Sequence, residues 1–320
     1  MADAYVVYKK TSDDKYYLAS IASDDSVTAI AELAELSVLR APGNTKGETL
    51  LVRILMDNDE NVYCMMQENL IYDVPYGTIL YKYNSSGVLQ TSKVLLDPDL
   101  SESTTHMFGF TASDGYLYTM HYNGDTIYKR GLSDLETIET ISLTSGHKFY
   151  YLCLDSDGYI YTYDKDYTGE AAFIKWEVDV GISEFHQQGF SSMSAWTDFS
   201  LLGNNIAHDN FDNSGRMGII AASLDADMVY WAMDDIPAGQ ACGVVSNATY
   251  WYVLGENTAD DTLIVEKYNS SKVLQSTIEV TSDYVAGSYR RFFNAIASFP
   301  VSVSAAYDYP LYPVIFPLET

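Results

Sequence analysis

The stretch Lys82-Tyr83-Asn84-Ser85-Ser86-Gly87-Val88-Leu89-Gln90 returns almost unchanged as Lys267-Tyr268-Asn269-Ser270-Ser271-Lys272-Val273-Leu274-Gln275. The copies stand 185 residues apart, which is four steps of about 46, a period typical of stacked or radial repeats. Weaker copies fall between them. Lys129 follows Lys82 by 47 residues, within Thr126-Ile127-Tyr128-Lys129-Arg130, and Lys175 follows by a further 46, within Phe173-Ile174-Lys175-Trp176. The next step lands at Ala221, in a run where the strand pattern persists and the lysine is lost.

A second motif keeps the same beat. Asp114-Gly115-Tyr116-Leu117-Tyr118 and Asp157-Gly158-Tyr159-Ile160-Tyr161 each read as a turn followed by an aromatic strand. Looser versions end at Tyr17, Tyr63, Ala207 and Trp251. This alignment makes Val62, Leu117, Ile160, Ile206 and Tyr250 equivalent, inward-packing strand positions, because strand neighbours alternate between faces.

Within a unit the pattern is four short strands. The third unit shows it best, with strands over residues 106–112, 116–122, 126–130 and 137–143 separated by Ser113-Asp114-Gly115, Asn123-Gly124-Asp125 and Leu132-Ser133-Asp134. Asp-Gly and Asn-Gly tolerate the positive φ of tight hairpins. Four antiparallel strands repeated at this period predict an all-β fold, a single β-propeller domain over residues 1–320. Units begin near residues 5, 49, 105, 147, 193, 241 and 289, which predicts seven four-stranded blades. The alternative is six blades plus an irregular C-terminal tail, since Pro300, Pro310, Pro313 and Pro317 limit ladder hydrogen bonding there. Residues 27–39 include Ala31-Glu32-Leu33-Ala34-Glu35-Leu36, helical in isolation, which the period assigns to outer strands of the first unit.

Together the two motifs resemble the short bacterial β-propeller repeat, in which a DSSGNVYVAG segment precedes a KYNSSGTLQW segment. The likeness is good over residues 61–96 and 250–280, fair over 114–143 and 157–178, and faint elsewhere. The closing Trp of the pattern is replaced by Thr91 and Ser276. Similar repeats occur in structural proteins of tailed phages, so the resemblance implies a propeller fold and a place in a virion. It implies no catalytic residues.

Composition sets limits. Hydrophobic residues make up 47% of 320, enough for a substantial core. The chain has 28 tyrosines, which suit a half-buried pleated surface with hydroxyls at water. A formal net charge of −26 repels phosphate, so neither nucleic acid nor anionic membrane is an expected partner. Cys64, Cys153 and Cys242 are too few and too scattered for a disulfide framework. Residues 1–5 show neither a basic nor an apolar signal region, and no run reaches 18 uncharged apolar residues, so no signal peptide and no membrane insertion are expected.

The five histidines, His106, His121, His147, His186 and His208, lack close metal spacing, although His106 and His147 each open a first strand. Asp57-Asn58-Asp59-Glu60-Asn61 and Asp155-Ser156-Asp157-Gly158 look like the start of a calcium loop. Neither carries the full twelve-residue ligand set, and both sit where the repeat demands turns. Asp209 and Asp212, in an oxygen-rich loop, are weak metal candidates. The sequons at Asn84, Asn247 and Asn269 read as turns. The long second unit carries Asn69-Leu70-Ile71-Tyr72-Asp73-Val74-Pro75-Tyr76-Gly77, and Tyr72 and Tyr76 are the expected binding residues, because aromatic loops on rigid scaffolds serve as contact points.

These features predict a non-enzymatic virion protein, a structural or adhesion module of a tail, fibre or capsid surface, assembled in the host cytoplasm and needing no cofactor. Its partners would be other virion proteins, a host receptor or a glycan. A carbohydrate-binding lectin and a propeller hydrolase or lyase with a channel site are the alternatives.

Overall fold

A computed structural model describes residues 2–37, 48–57, 59–69, 78–95, 107–113, 116–121, 126–143, 149–154, 160–164, 172–177, 181–187, 199–202, 205–211, 217–223, 230–233, 239–247, 249–257, 259–271, 273–285 and 295–298. These residues form six four-stranded antiparallel sheets. The first sheet runs, in spatial order, β24 (Ala295–Ser298), β1 (Ala2–Lys9), β2 (Tyr16–Ala22) and β3 (Val27–Glu32). The other sheets follow the chain. The second holds β4 (Glu48–Met56), β5 (Val62–Asn69), β6 (Thr78–Tyr83) and β7 (Leu89–Val94). The third holds β8 (Met107–Ser113), β9 (Tyr116–His121), β10 (Thr126–Gly131) and β11 (Thr137–Ser142). The fourth holds β12 (Phe149–Leu154), β13 (Ile160–Asp164), β14 (Ala172–Glu177) and β15 (Gly181–Gln187). The fifth holds β16 (Phe199–Leu202), β17 (Asn205–Phe211), β18 (Met217–Ser223) and β19 (Tyr230–Met233). The sixth holds β20 (Gly239–Ser246), β21 (Tyr250–Asn257), β22 (Thr262–Asn269) and β23 (Leu274–Thr281).

The leading strands of the sheets neighbour one another in cyclic order: β24, β4, β8, β12, β16, β20 and back to β24. The architecture is therefore all-β and of propeller type. The unit expected to begin near residue 289 supplies β24, which pairs with β1 through Ala4↔Ser298 to Val7↔Ala295 and so completes the first sheet. The proline-rich stretch after residue 298 lies outside the described residues.

This closure shifts the phase of the first unit. Asp13-Asp14-Lys15-Tyr16-Tyr17 was expected to lead into a second strand. It is the hairpin between β1 and β2, and Tyr16 opens the third strand of its sheet, because the first strand comes from the far end of the chain. The segment 27–39 divides: β3 is a strand as the period requires, and Ala34–Ser37 form a 3-10 turn.

The cores lie between sheets. Val62 packs where the first and second sheets meet, Leu117 between the second and third, and Ile160 between the third and fourth. All three are fully buried, as strand alternation predicts. The fifth equivalence shifts by one residue. Trp251, opposite Tyr268, holds the position that Leu117 holds opposite Arg130 and Ile160 opposite Trp176, whereas half-buried Tyr250 lies opposite Asn269. The cause is the turn before it. Asn247 accepts from the amides of Thr249 and Tyr250, and its own amide donates to the Tyr250 carbonyl, so Tyr250 closes the turn and Trp251 is the first residue past it, as Val62 is past Asn61.

Candidate binding surface and the junctions between sheets

The two phased motifs are cross-strand partners. Tyr63 pairs with Lys82, Tyr118 with Lys129, Tyr161 with Lys175 and Tyr252 with Lys267. In the fifth sheet the same register position is Ala207 opposite Ala221, where the lysine is lost in sequence. Three of these lysines lie near their tyrosine's ring. The ammonium is 5.5 Å from the Tyr63 ring centre for Lys82, 6.0 Å from Tyr118 for Lys129 and 5.9 Å from Tyr252 for Lys267. Lys129 and Lys267 come closer still to a second ring, 4.2 Å from Tyr116 and 4.6 Å from Tyr250.

Two of these lysines reach the following sheet, whereas Lys129 Nζ lies 3.9 Å from Glu139 on β11 of its own sheet. Lys82 Nζ donates to the Leu132 carbonyl, in the turn between β10 and β11, at 2.9 Å. Lys267 Nζ donates to Asp25 Oδ1, in the turn between β2 and β3, also at 2.9 Å. Burial raises the Asp25 carboxyl pKa, and the Lys267 hydrogen bond, the Ser276 side chain and the Lys267 charge together outweigh it, so the net shift is downward. The tyrosine hydroxyls are engaged as well: Tyr63 donates to Asp57 Oδ2 at 2.7 Å, and Tyr252 to Asp3 Oδ2 of the first sheet at 3.1 Å. Burial first, and the carboxylate partner second, push both phenols well above their usual range.

Asp57 settles the turn at residues 57–61. Its Oδ1 accepts from the amides of Asp59 and Asn61 and from Asn61 Nδ2, while Oδ2 accepts from Asn61 Nδ2 and Tyr63. Those oxygens are committed to donors, as a turn requires and a cation site forbids. Among the described residues no group of three or more His, Cys, Asp or Glu could hold a metal ion. Cys64 is a buried free thiol whose pKa burial pushes up.

Tyr72, Tyr76, Asp212, His106 and His147 lie outside the described residues, as does Asp155-Ser156-Asp157-Gly158. The strand ends that carry the Tyr72–Tyr76 loop are Asn69 of β5 and Thr78 of β6. Asp209 is in β17 opposite Ile219, a strand position rather than a loop one. His121 pairs with Met107, His186 with Phe173, and His208 with Phe199 and Ile220. Those pairings put the three in different sheets.

Three buried ionisable groups were not singled out from the sequence. Arg53 of β4 donates from Nη1 to the Leu152 carbonyl of β12 at 3.3 Å, joining the second sheet to the fourth. Glu256 accepts from Tyr284, and Glu266 accepts from Tyr268 at 2.5 Å while burial raises its pKa. Only the Lys–Tyr pairing had a signal in sequence, namely two motifs of one period on neighbouring strands.

No family model matches the chain, and no curated protein matches it. Solved structures do resemble it. A protein of unknown function from Bacteroides caccae superposes with a TM-score of 0.57 at 8% identity, over 92% of this chain and 98% of that one. A chain of a nidogen/laminin complex gives 0.55 at 9% identity, over 92% and 97%. A putative 6-phosphogluconolactonase from Bacteroides fragilis gives 0.51 at 12% identity, over 87% and 95%. At such identities the likeness concerns the fold alone. No helix among the described residues is long and apolar enough to cross a membrane.

Proposed function

We propose that the chain is a non-enzymatic binding module, a propeller of six blades closed by β24, carried on the surface of a tailed-phage virion. The blade count rests on the cyclic order of the leading strands. The binding reading rests on one observation above others: Lys82, Lys267 and Tyr252 of the repeat are used to join sheets, through Leu132, Asp25 and Asp3. A scaffold fastened in this way holds its strands still and leaves recognition to connections such as the one bearing Tyr72 and Tyr76. The virion reading rests on the resemblance of the repeat. The acidic surface favours basic or uncharged partners, a virion protein, a host receptor or a glycan, over nucleic acid.

Mass spectrometry of purified particles from the source of this chain tests the reading, with the chain expected at stoichiometric abundance. Its absence from particles overturns the virion assignment. The paired variant Tyr72→Ala and Tyr76→Ala should keep the wild-type melting temperature while reducing particle assembly or host-cell attachment. Unchanged assembly and attachment in a folded double variant would remove that loop from the account.

A further inference from the structure

The first and last sheets are joined by more than the closing strand. The β24–β1 pairing comprises only the pairs from Ala4↔Ser298 to Val7↔Ala295, and a joint that short is an expected point of local opening. Directly after β23 the chain is tied to the first sheet a second time. Asp283 Oδ1 accepts from the Ser12 amide at 3.1 Å, Oδ2 accepts from Ser12 Oγ at 2.6 Å, and the Asp283 carbonyl accepts from the Thr11 amide at 3.3 Å. Thr281 Oγ1 accepts from the Asp283 amide at 3.0 Å and sets the bend. The next residue, Tyr284, is buried in the core that Tyr8, Ala19 and Ile21 of the first sheet share with Leu254 and Leu263 of the last, and its hydroxyl donates to buried Glu256. Val285, one residue on, is 46% exposed.

We propose that Thr281–Val285 is a latch, separate in its contacts from the β24–β1 pairing, that holds the two ends of the ring together and supports that pairing. It grips the β1–β2 hairpin from outside with Asp283 and seats Tyr284 between the two sheets, holding β1 in place for β24 to pair with. Losing the latch should therefore be felt along β1 itself, beyond the Thr11–Ser12 hairpin that Asp283 holds.

Native-state hydrogen exchange on the full chain tests this. In the variant Asp283→Ala with Tyr284→Phe, the amides of residues 4–7 should exchange at least tenfold faster, while those of residues 62–67 and 78–83 keep their wild-type rates. Acceleration confined to Thr11 and Ser12, or spread equally over all sheets, would overturn the latch. Should the double variant fail to fold, Ser12→Ala removes only one hydrogen bond of the fork. It should raise exchange at residues 4–7 by about threefold, and wild-type rates there would overturn the proposal equally well.

Discussion

The two copies of the nonapeptide, residues 82–90 and 267–275, fold alike locally and differ in what they hold. In both, the asparagine side chain accepts from a valine amide four residues on, Asn84 from Val88 and Asn269 from Val273. In both, the glutamine amide donates back to that valine's carbonyl, Gln90 to Val88 and Gln275 to Val273, and both valines are 56% exposed. The lysines diverge. Lys82 meets a neutral main-chain carbonyl of the third sheet, and Lys267 meets a carboxylate of the first. The tyrosines diverge as well: Tyr63 donates to Asp57 in a turn of its own sheet, whereas Tyr252 accepts from Asn247 in its own turn and donates across the junction to Asp3. Local sequence thus dictates the turn, and the next sheet dictates the partner. The charged version falls at the junction where the two ends of the fold meet.

The sharpest way to break this comparison is to remove each ammonium. Lys267→Met leaves Asp25 unpaired and should cost about 2–3 kcal/mol, a figure below that for a fully buried pair because Asp25 is partly exposed. Lys82→Met gives up one charge-assisted hydrogen bond to a carbonyl and should cost about 1–1.5 kcal/mol. Urea unfolding at neutral pH measures both, and equal losses would mean that the carboxylate adds nothing.

Next in size is the turn. Gly87 has φ +76°, and a Cβ there would stand 2.4 Å from Ala31 Cβ on the outer strand of the first sheet. Gly87→Ala should therefore cost about 2 kcal/mol, from strain and contact together. Adding Ala31→Gly should recover the contact part and leave the strain. If the double variant is no more stable than Gly87→Ala, the turn does not bear on β3. The other copy carries Lys272 at this position.

The smallest expected effect is on pH. The Asp25 pKa is lowered in the folded state, so its contribution is present above the unfolded value and fades as pH falls through the folded one. Below the ordinary aspartate range, near pH 4, the gap between wild type and Lys267→Met should narrow. A gap that stays constant from neutral to acid pH would separate the loss in Lys267→Met from the ion pair.

Much of the fold was legible because turn and strand signals are local. Expected unit starts at 49, 105, 147 and 241 fall within two residues of β4, β8, β12 and β20. The misreadings have non-local causes. Tyr16-Tyr17 looks like the other aromatic strands, and only pairing with a strand from the far end of the chain shifts its place in the sheet. Trp251 rather than Tyr250 fills the core position because Tyr250 closes the Asn247 turn, a placement that alternation alone cannot register. The calcium-like spelling of 57–61 gives way to a turn once Tyr63 and Asn61 are seen to occupy the carboxylate. At the candidate surface the sequence offers residue types, whereas partners such as Asp283 with Ser12 are 271 residues apart and leave no local pattern.

Completion of the first sheet by β24 has a consequence during synthesis. β1 leaves the ribosome long before the strand that covers its inner edge at Ala4–Val7, which ends at Ser298. At roughly 5–20 residues per second, that edge waits on the order of 15–60 s. The waiting segment, Ala4-Tyr5-Val6-Val7-Tyr8, is apolar and β-prone, the composition that pairs with the wrong chain. It is bracketed by Asp3 on one side and Lys9-Lys10 on the other, charges that discourage a second chain from adding to an open strand edge. In the finished ring Asp3 accepts from Tyr252, and Lys9 pairs with Asp14 at 2.8 Å. The guards of the nascent strand are thus retained as contacts of the folded one.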